Sequence, residues 1–360
     1  MSLHLPIRER VRLAPYTTLG IGGPARFFTD AITEQDVMDA VGWASDRGLP
    51  VFILGGGSNI LVDDAGFPGL VIHMALKGIT AQAKGSKLLV TTAAGENWDE
   101  FTAWCVQRHL AGVECLAGIP GTVGGAPIQN IGAYGQEISE TVTAVRLYDR
   151  QTRKIISFTS HECGFSHRAS IFNTTQREAH IVLSVTFALS MHGKPELKHP
   201  ELKKHFAGRG GQPSLHDVRE AALAIRAREG MVLSPADPDS RSAGSFFKNP
   251  LVTPEKLAEI EKLARKARLM TKEEITPHFP ADGGRVRIPA AWLIERAGFD
   301  KGYGNGRVGL SSKHSLAIIN RGGASAQDVI SLMREIQSRV HQTFAITLSP
   351  EPGFVSPEGW

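Results

Sequence analysis

The chain has 360 residues, 42% of them hydrophobic and 21% charged, a composition typical of a globular enzyme of two or three domains. The 40 Lys and Arg exceed the 36 Asp and Glu too slightly to predict a nucleic-acid groove, and the excess favours a small anionic ligand. No stretch approaches the roughly 20 apolar residues that span a bilayer, and no signal peptide is predicted. Cys105, Cys115 and Cys163 fit neither a zinc motif nor a disulfide framework. We therefore expect a cytoplasmic protein without a metal site and without nucleic-acid or membrane partners.

The N-terminal half alternates short strands with amphipathic helices, which predicts a mixed α+β domain. Apolar residues recur at helical spacing from Val37 to Ala44. The strand Pro50–Leu54 runs through the turn GGGSN into another strand, whereas a Rossmann fold has a helix directly after GxGxxG, so that fold is excluded. The other predicted elements are a helix at 98–109 and strands at 60–62, 70–74, 87–92, 142–148, 155–158 and 181–189.

A polar segment rich in Lys, His, Pro and Gly predicts a linker between two domains. We place the first domain at 1–192, in two lobes of about 16–75 and 76–192, the linker with its short helix at 193–213, and the second domain at 214–360. The second domain is predicted to have helices at 215–229, 254–269, 288–297 and 326–344, and strands at 315–320 and 346–354, the last interrupted at Pro350.

Two clusters of glycine, GGGSN and GIPGTVGGAPIQNIGAYG, predict loops whose main chain a ligand can approach. The first cluster alone is equally typical of a tight β turn. Two such loops in one domain favour a dinucleotide, and without GxGxxG a flavin in a non-Rossmann domain is the leading interpretation. The predicted cofactor-binding residues are Gly55, Gly56, Gly57, Ser58, Asn59, Gly118, Ile119, Pro120, Gly121, Gly124, Gly125, Gln129, Asn130, Gly132, Ala133 and Tyr134.

Three polar residues in apolar surroundings are candidates for chemistry. Ser245 precedes two phenylalanines, Glu351 lies between two prolines, and Arg168 precedes an apolar stretch. Each also has an ordinary structural interpretation: a turn or cap for the serine, an exposed loop position for the glutamate and an ion-pair partner for the arginine. The residues alone leave these alternatives open.

Seven segments in order make the chain resemble the UDP-N-acetylenolpyruvoylglucosamine reductases, the MurB family of bacterial peptidoglycan synthesis. They are TLGIGGPARF, ILGGGSNILV, AGIPGTVGGAPIQNIGAYG, SHRASIF, AGSFFKNP, PAAWLIERAG and SPEPGF. The resemblance covers about residues 16–355. It implies a two-lobed FAD-binding domain of the vanillyl-alcohol-oxidase type followed by a smaller α+β substrate domain, with NADPH as hydride donor and a role in cell-wall formation, cell shape and cell division.

The resemblance assigns the catalytic roles to Arg168, Ser245 and Glu351. It implies hydride transfer from reduced flavin N5 to the enolpyruvyl CH2, with Arg168 on the substrate carboxylate, Ser245 as proton donor and Glu351 as a second donor if burial keeps it protonated. The implied substrate contacts are Asn249, Lys248, His199 and Arg228.

The chain also departs from the family pattern. His167 and Ala169 replace the tyrosine and aspartate that flank the arginine, His199 replaces a tyrosine of the longer-chain subgroup, and Glu229 replaces a lysine. Two alternatives therefore stay open: a flavin enzyme of the same fold with another substrate, and a nucleotide-sugar-binding protein that has lost catalysis. The resemblance implies UDP-N-acetylmuramate dehydrogenase activity on a small nucleotide sugar, and we expect a monomer.

Overall fold

The structure is a computed structural model that describes residues 5–208 and 210–358. The chain forms two compact units, each built from separate stretches of sequence. The first unit contains the residues up to Val11 and the ranges Ala25–Gly57 and Pro68–Val232. The second contains Arg12–Pro24, Ser58–Phe67 and the residues from Leu233 onward.

Helices and strands are distributed over both units. The helices are α1 Glu34–Ser45, α2 Trp98–Gln107, α3 Pro200–Phe206, α4 Leu215–Arg228, α5 Pro254–Lys266, α6 Ala290–Arg296 and α7 Ala326–Phe344. The strands are β1 Arg8–Arg12, β2 Pro24–Ala31, β3 Val51–Leu54, β4 Ile60–Val62, β5 Phe67–Met74, β6 Ile79–Lys84, β7 Lys87–Ala93, β8 Leu110–Ala111, β9 Gly132–Ala133, β10 Gln136–Glu137, β11 Val142–Asp149, β12 Lys154–Thr159, β13 His180–Met191, β14 Leu251–Val252, β15 Phe279–Pro280, β16 Val286–Arg287, β17 Val308–Leu310, β18 Ile318–Asn320 and β19 Gly353–Val355.

Apart from the two-stranded sheet of β9 and β10, the first unit is built on two larger sheets. One has the strand order β1-β2-β5-β3, with β3 and β5 parallel and Val51 opposite Leu70. The other has the order β12-β11-β13-β7-β6, with β8 also paired to β13, and its pairs are antiparallel. Trp98, Phe101 and Phe187 pack their rings together where α2 meets β13. Burial of such large rings is a main source of core stability.

The predicted linker lies inside the first unit, which continues to Val232. The cause is the apolar face of α4, where Val218, Ala221 and Ile225 are buried in one cluster with Leu202 of α3 and Cys115. The helix predicted to open the second domain therefore packs on the first.

The second unit has its own core, formed by α5, α6, α7 and several short strands. Leu19, Ile21 and Leu61 are buried in the same cluster as Phe246, which explains why two early stretches of the chain belong to this unit. β4 pairs in parallel with β19. The amphipathic helix predicted at 326–344 is present with those bounds.

The strand predicted at 346–354 is wrong over most of its length. Regular pairing is confined to Gly353–Val355, and Pro350 makes only an isolated bridge to Phe247. Two prolines in this segment lack the N–H groups that a strand ladder needs.

Within residues 5–208 and 210–358, no helix is long and apolar enough to cross a membrane. No group of three or more His, Cys, Asp or Glu side chains within them is placed to hold a metal ion.

Candidate active site

The two glycine clusters meet at main-chain contact distance. A Cβ on Gly56 would lie 2.7 Å from Cα of Gly121, and a Cβ on Gly55 would lie 2.8 Å from Oγ1 of Thr122. Both distances are below any ordinary carbon contact, so the approach requires residues without side chains at these positions. The loop after β3 and the loop before β9 therefore pack directly against each other through main chain.

The second glycine loop is anchored to the start of α2. Oδ1 of Asp99 accepts the N–H of Gly118 at 2.8 Å, and the N–H of Gly124 donates to the carbonyl of Ala94 at 2.8 Å. Val123–Ile128 then form a 3-10 helix, where the sequence predicted only an irregular structured loop. The loop is thus held in one conformation by hydrogen bonds.

The loop ends in the hairpin of β9 and β10, whose turn carries Tyr134. Tyr134 and Gly135 have φ of 48° and 83°, the left-handed pair that tight hairpin turns require. Burial raises the pKa of the Tyr134 phenol. The ring of His199 meets that of Tyr134 edge-on, with centroids 5.4 Å apart. The structure therefore brings the predicted substrate residue His199 to the predicted cofactor loop.

The predicted cofactor residues divide between the two units at Gly57. Those of the first unit line the two glycine loops and the hairpin, whereas Ser58 and Asn59 belong to the second unit, where the carbonyl of Asn59 accepts the N–H of Gly353 at 3.0 Å. Gly56 and Gly125 are exposed, and a Cβ on Gly125 would meet no atom closer than 3.9 Å. Gly56 and Gly125, both in the first unit, fit the FAD that the resemblance implies, because a dinucleotide needs accessible main chain and little side-chain bulk.

Arg168 lies in a tight turn between Ser166 and Ala169. Each of these two residues donates its N–H to the carbonyl of the other, at 2.9 and 3.1 Å. Arg168 has φ of 57°, in a turn position that normally takes Gly or Asn, and the left-handed conformation costs about 1 kcal/mol. The carbonyl of Arg168 accepts Nδ2 of Asn173 at 3.3 Å. A strained backbone that is held by its surroundings is a feature of functional sites.

The side chain of Arg226, on α4, lies next to Gly118 of the second glycine loop. Its Cδ would lie 3.5 Å from a Cβ on Gly118, and its Nη2 donates to the carbonyl of Met231 at 3.1 Å. Its Nε is buried without a hydrogen-bond partner among the described residues. Burial lowers the pKa of Arg226, and the nearby Tyr134 phenol opposes that shift. Arg226 is therefore a cation close to the cofactor loop.

Arg228, the predicted diphosphate contact, lies elsewhere on α4. Its side chain is 69% exposed and its Nη2 is 3.8 Å from Oε1 of Glu201. Glu229, where the resemblance expects a lysine, is the C-cap of α4, and its charge acts on the pKa values of Tyr134 and Arg226. Arg226 thus lies at Gly118, and the charge of the more exposed Arg228 also acts on Tyr134.

Ser245 and Glu351 are brought together in the second unit. The residue after Ser245, Phe246, is fully buried, and its carbonyl accepts the N–H of Glu351 at 2.9 Å. Its own N–H donates to the carbonyl of Leu316 at 2.8 Å. Ser245 is half-buried and follows Gly244, which has φ of 74°. Two residues that the sequence could only nominate separately therefore lie on adjacent segments.

The two other predicted substrate residues follow Ser245 directly. Oδ1 of Asn249 accepts the N–H of Ala290 at 2.8 Å, at the start of α6. Lys248 has an exposed side chain, and its N–H donates to the carbonyl of Ser349 at 2.9 Å. Asn249 thus has a structural role in addition to the predicted one.

Sequence reasoning missed Arg226 and Glu137. Arg226 had a signal, because it lies eight residues after Val218 and four after Ala222, on the face of α4 that is otherwise apolar. Glu137 had none, because only the fold brings it beside His167, where its Oε1 is 3.2 Å from Nδ1 of the imidazole.

Comparisons with family models match both units. Residues 26–157 match an FAD binding domain, and residues 236–355 match the C-terminal domain of UDP-N-acetylenolpyruvoylglucosamine reductase. The first match contains Gly55, Gly121 and Tyr134, and the second contains Ser245 and Glu351.

Relatives that carry the same name match along nearly the full chain. The reductase of Thermobifida fusca is 45% identical over 348 residues, which are 96% of each chain. That of Streptomyces coelicolor is 43% identical over 343 residues, or 94% of this chain and 88% of the relative. The crystal structure of the reductase from Thermus caldophilus is 26% identical with a TM-score of 0.64, and the match covers 98% of both chains.

Proposed function

The chain belongs to the UDP-N-acetylenolpyruvoylglucosamine reductase family, and on that premise we propose that it reduces UDP-N-acetylglucosamine enolpyruvate to UDP-N-acetylmuramate with NADPH as hydride donor. Its first unit contains the FAD-binding domain. The observation that supports the proposal most directly is the pairing of the Ser245 and Glu351 segments inside the matched C-terminal domain. A flavin enzyme with another substrate has no need of this pair.

Binding is assigned to the main chain of the two glycine loops and to the cations near them. Backbone N–H groups that no side chain covers suit phosphate oxygens. When bound, FAD supplies the chemistry of accepting a hydride from one substrate and giving it to another. Arg226 lies at Gly118 of the same loop and places a positive charge beside it.

Arg168 is proposed to bind the carboxylate of the enolpyruvyl group. Reduction of the double bond at its CH2 end leaves negative charge on the neighbouring carbon, delocalised into the carboxylate. A guanidinium can form two parallel hydrogen bonds to a carboxylate and keeps its charge throughout. It therefore stabilises the transition state more than the ground state.

Ser245 is proposed to give its hydroxyl proton to that carbon, with Glu351 as a second donor toward the substrate carboxylate. Serine is a weak acid, so it serves only against a strongly basic carbanion. Its backbone lies between Gly244, which has φ of 74°, and the buried Phe246, which supports a defined position of the residue.

The test is an anaerobic experiment on the two half-reactions. The purified protein is reduced with NADPH, UDP-N-acetylglucosamine enolpyruvate is added, and the flavin absorbance is followed. Rapid reoxidation is expected. If NADPH reduces the flavin but the enolpyruvyl sugar does not reoxidise it, the substrate assignment is wrong and the enzyme of the same fold with another substrate replaces it.

Ping-pong kinetics are expected as well, because NADPH and the enolpyruvyl sugar must use the same reactive position of the cofactor in turn. Parallel double-reciprocal lines in an initial-rate study would agree with this, and intersecting lines would contradict it.

A further inference from the structure

The carboxylate of Glu137 is tied from two sides to the turn that carries Arg168. Its Oε1 lies 3.2 Å from Nδ1 of His167, and its Oε2 accepts Nδ2 of Asn130 at 2.8 Å. The same Nδ2 of Asn130 donates to the carbonyl of Ser166 at 3.0 Å. Glu137 is thereby connected to the two residues that precede Arg168.

The side chains of Glu137 and Arg168 both lie next to Gly132. A Cβ on Gly132 would lie 2.8 Å from Cγ of Glu137 and 3.5 Å from Nη1 of Arg168. The hydrogen bond from His167, and to a smaller extent the charge of Arg168, lower the pKa of Glu137. The group beside the guanidinium is therefore an ionised carboxylate with both oxygens oriented.

We propose that Glu137 is the positioning residue for Arg168, with His167 and Asn130 holding its carboxylate. This inference rests on the proposed function, in which Arg168 binds the substrate carboxylate. A long arginine side chain loses affinity and rate when its plane is not fixed, because bidentate binding needs both N–H groups aligned. A fixed negative charge over Gly132 orients the guanidinium before substrate arrives.

The experiment compares Glu137→Gln and Glu137→Asp with Glu162→Gln as matched control. Glutamine has nearly the shape of glutamate, but it removes the charge and replaces one of the two acceptor oxygens with an NH2 donor. Glu162 is an exposed carboxylate near the same turn, and its oxygen binds the backbone and hydroxyl of Thr159. Each protein is reduced with NADPH and then reoxidised by UDP-N-acetylglucosamine enolpyruvate in a stopped-flow instrument.

For Glu137→Gln we expect reoxidation slowed about 10- to 100-fold, as for other residues that orient a group in direct contact with substrate. Reduction by NADPH should change less than about threefold, because Glu137 acts on the substrate through Arg168. Glu137→Asp should recover part of the loss, since it keeps the charge. A purely structural role would alter both half-reactions and the flavin spectrum together, which would contradict the inference.

A second variant, His167→Phe, removes one hydrogen bond at a half-exposed position and keeps the test valid if Glu137→Gln does not fold. A loss in reoxidation alone is again expected. Reoxidation at the rate of Glu162→Gln, or tighter substrate binding, overturns the inference. Failure of the unchanged protein to be reoxidised would instead overturn the proposed function, so the two failures are distinguishable.

Discussion

Ser245 is held in place by the backbone of its neighbour. Phe246 donates its N–H to Leu316 and accepts the N–H of Glu351, so the serine cannot shift without breaking both bonds. A proton donor contributes most when its distance to the reacting atom is fixed. Removing the hydroxyl while the surrounding backbone stays in place therefore tests whether Ser245 is the proton donor.

Replacing Ser245 with alanine should slow reoxidation by the enolpyruvyl sugar about 10²- to 10⁴-fold, because one positioned acid is lost. Reduction by NADPH should be nearly unchanged, and stopped-flow absorbance measures both. Ser349→Ala is the control, since Ser349 is exposed on the adjacent segment and only its carbonyl binds Lys248. Equal slowing of both half-reactions would remove Ser245 from the role of proton donor.

The close packing of the two glycine loops depends on the absence of a Cβ at Gly56. In Gly56→Ala the new Cβ would need to lie 2.7 Å from Cα of Gly121, and main chain cannot move aside as a side chain can. We expect the variant to be purified with much less FAD, measured as the ratio of flavin to protein absorbance.

Gly42→Ala is the control for the loop substitution. Gly42 lies within α1 with nothing within 4 Å of a Cβ, so alanine should stabilise the helix by about 0.5–1 kcal/mol and leave the FAD content unchanged. Full FAD content in Gly56→Ala would show that the two loops are free to separate.

At the scale of elements, Asp99 connects α2, α4 and the second glycine loop. Its Oδ1 accepts Nη2 of Arg219 at 2.8 Å and the N–H of Gly118 at 2.8 Å, and the side chain of Arg219 is only 12% exposed. Asp99→Ala should lower the free energy of unfolding by about 1–3 kcal/mol, because it leaves the N–H of Gly118 without its acceptor and leaves the largely buried Arg219 with the longer contact to Glu220 alone, at 3.3 Å.

Glu100→Ala is the control, because Glu100 is the neighbouring acidic residue in the first turn of α2. Glu100 is exposed in the first turn of α2, so it has a similar interaction with the helix dipole. Urea denaturation of both variants should show a loss several times larger for Asp99→Ala. Equal losses would mean that the Asp99 contacts contribute no more than a helix-terminal charge does.

Elements with a clear period could be predicted from the sequence, and α7 has the predicted bounds because its capping box at Ser325 and Asp328 begins an amphipathic pattern. The hairpin of β9 and β10 could not, because two-residue strands have no period to detect. The first unit continues past the linker predicted at 193–213 to Val232, because α4 packs on its core. The sequence shows that one face of α4 is apolar, but it does not show against which core that face packs.

The sequence predicts those site residues that lie in recognisable segments of the chain. Ser245 and Glu351 were nominated from separate segments and identified through a resemblance, and the structure brings those segments together. Glu137 and Arg226 stand out only by contacts that form when the chain folds. Spatial neighbours from distant parts of the chain leave no local pattern.

At the scale of the whole molecule, each unit contains a histidine whose pKa is lowered by burial. Burial lowers the pKa of His180 in the first unit and of His314 in the second. In His180, Nε2 lies 2.7 Å from Oε1 of Gln176, and Nδ1 is buried with no hydrogen-bond partner in the described part of the chain. A proton added at Nδ1 would therefore have no acceptor.

The sign of the resulting pH dependence is fixed. Because both folded pKa values lie below the ordinary 6.5, the unfolded chain binds more protons as the pH falls through that value. Stability is then complete above about pH 7 and declines toward pH 5, with a slope of at most about 1.4 kcal/mol per pH unit for each proton. Urea denaturation at pH 7.5 and 5.5 should show this decline, and His180→Gln with His314→Gln should reduce it. His216→Gln, at an exposed position of α4, should leave it as it is. An unchanged decline in the double variant would assign the pH dependence to other groups.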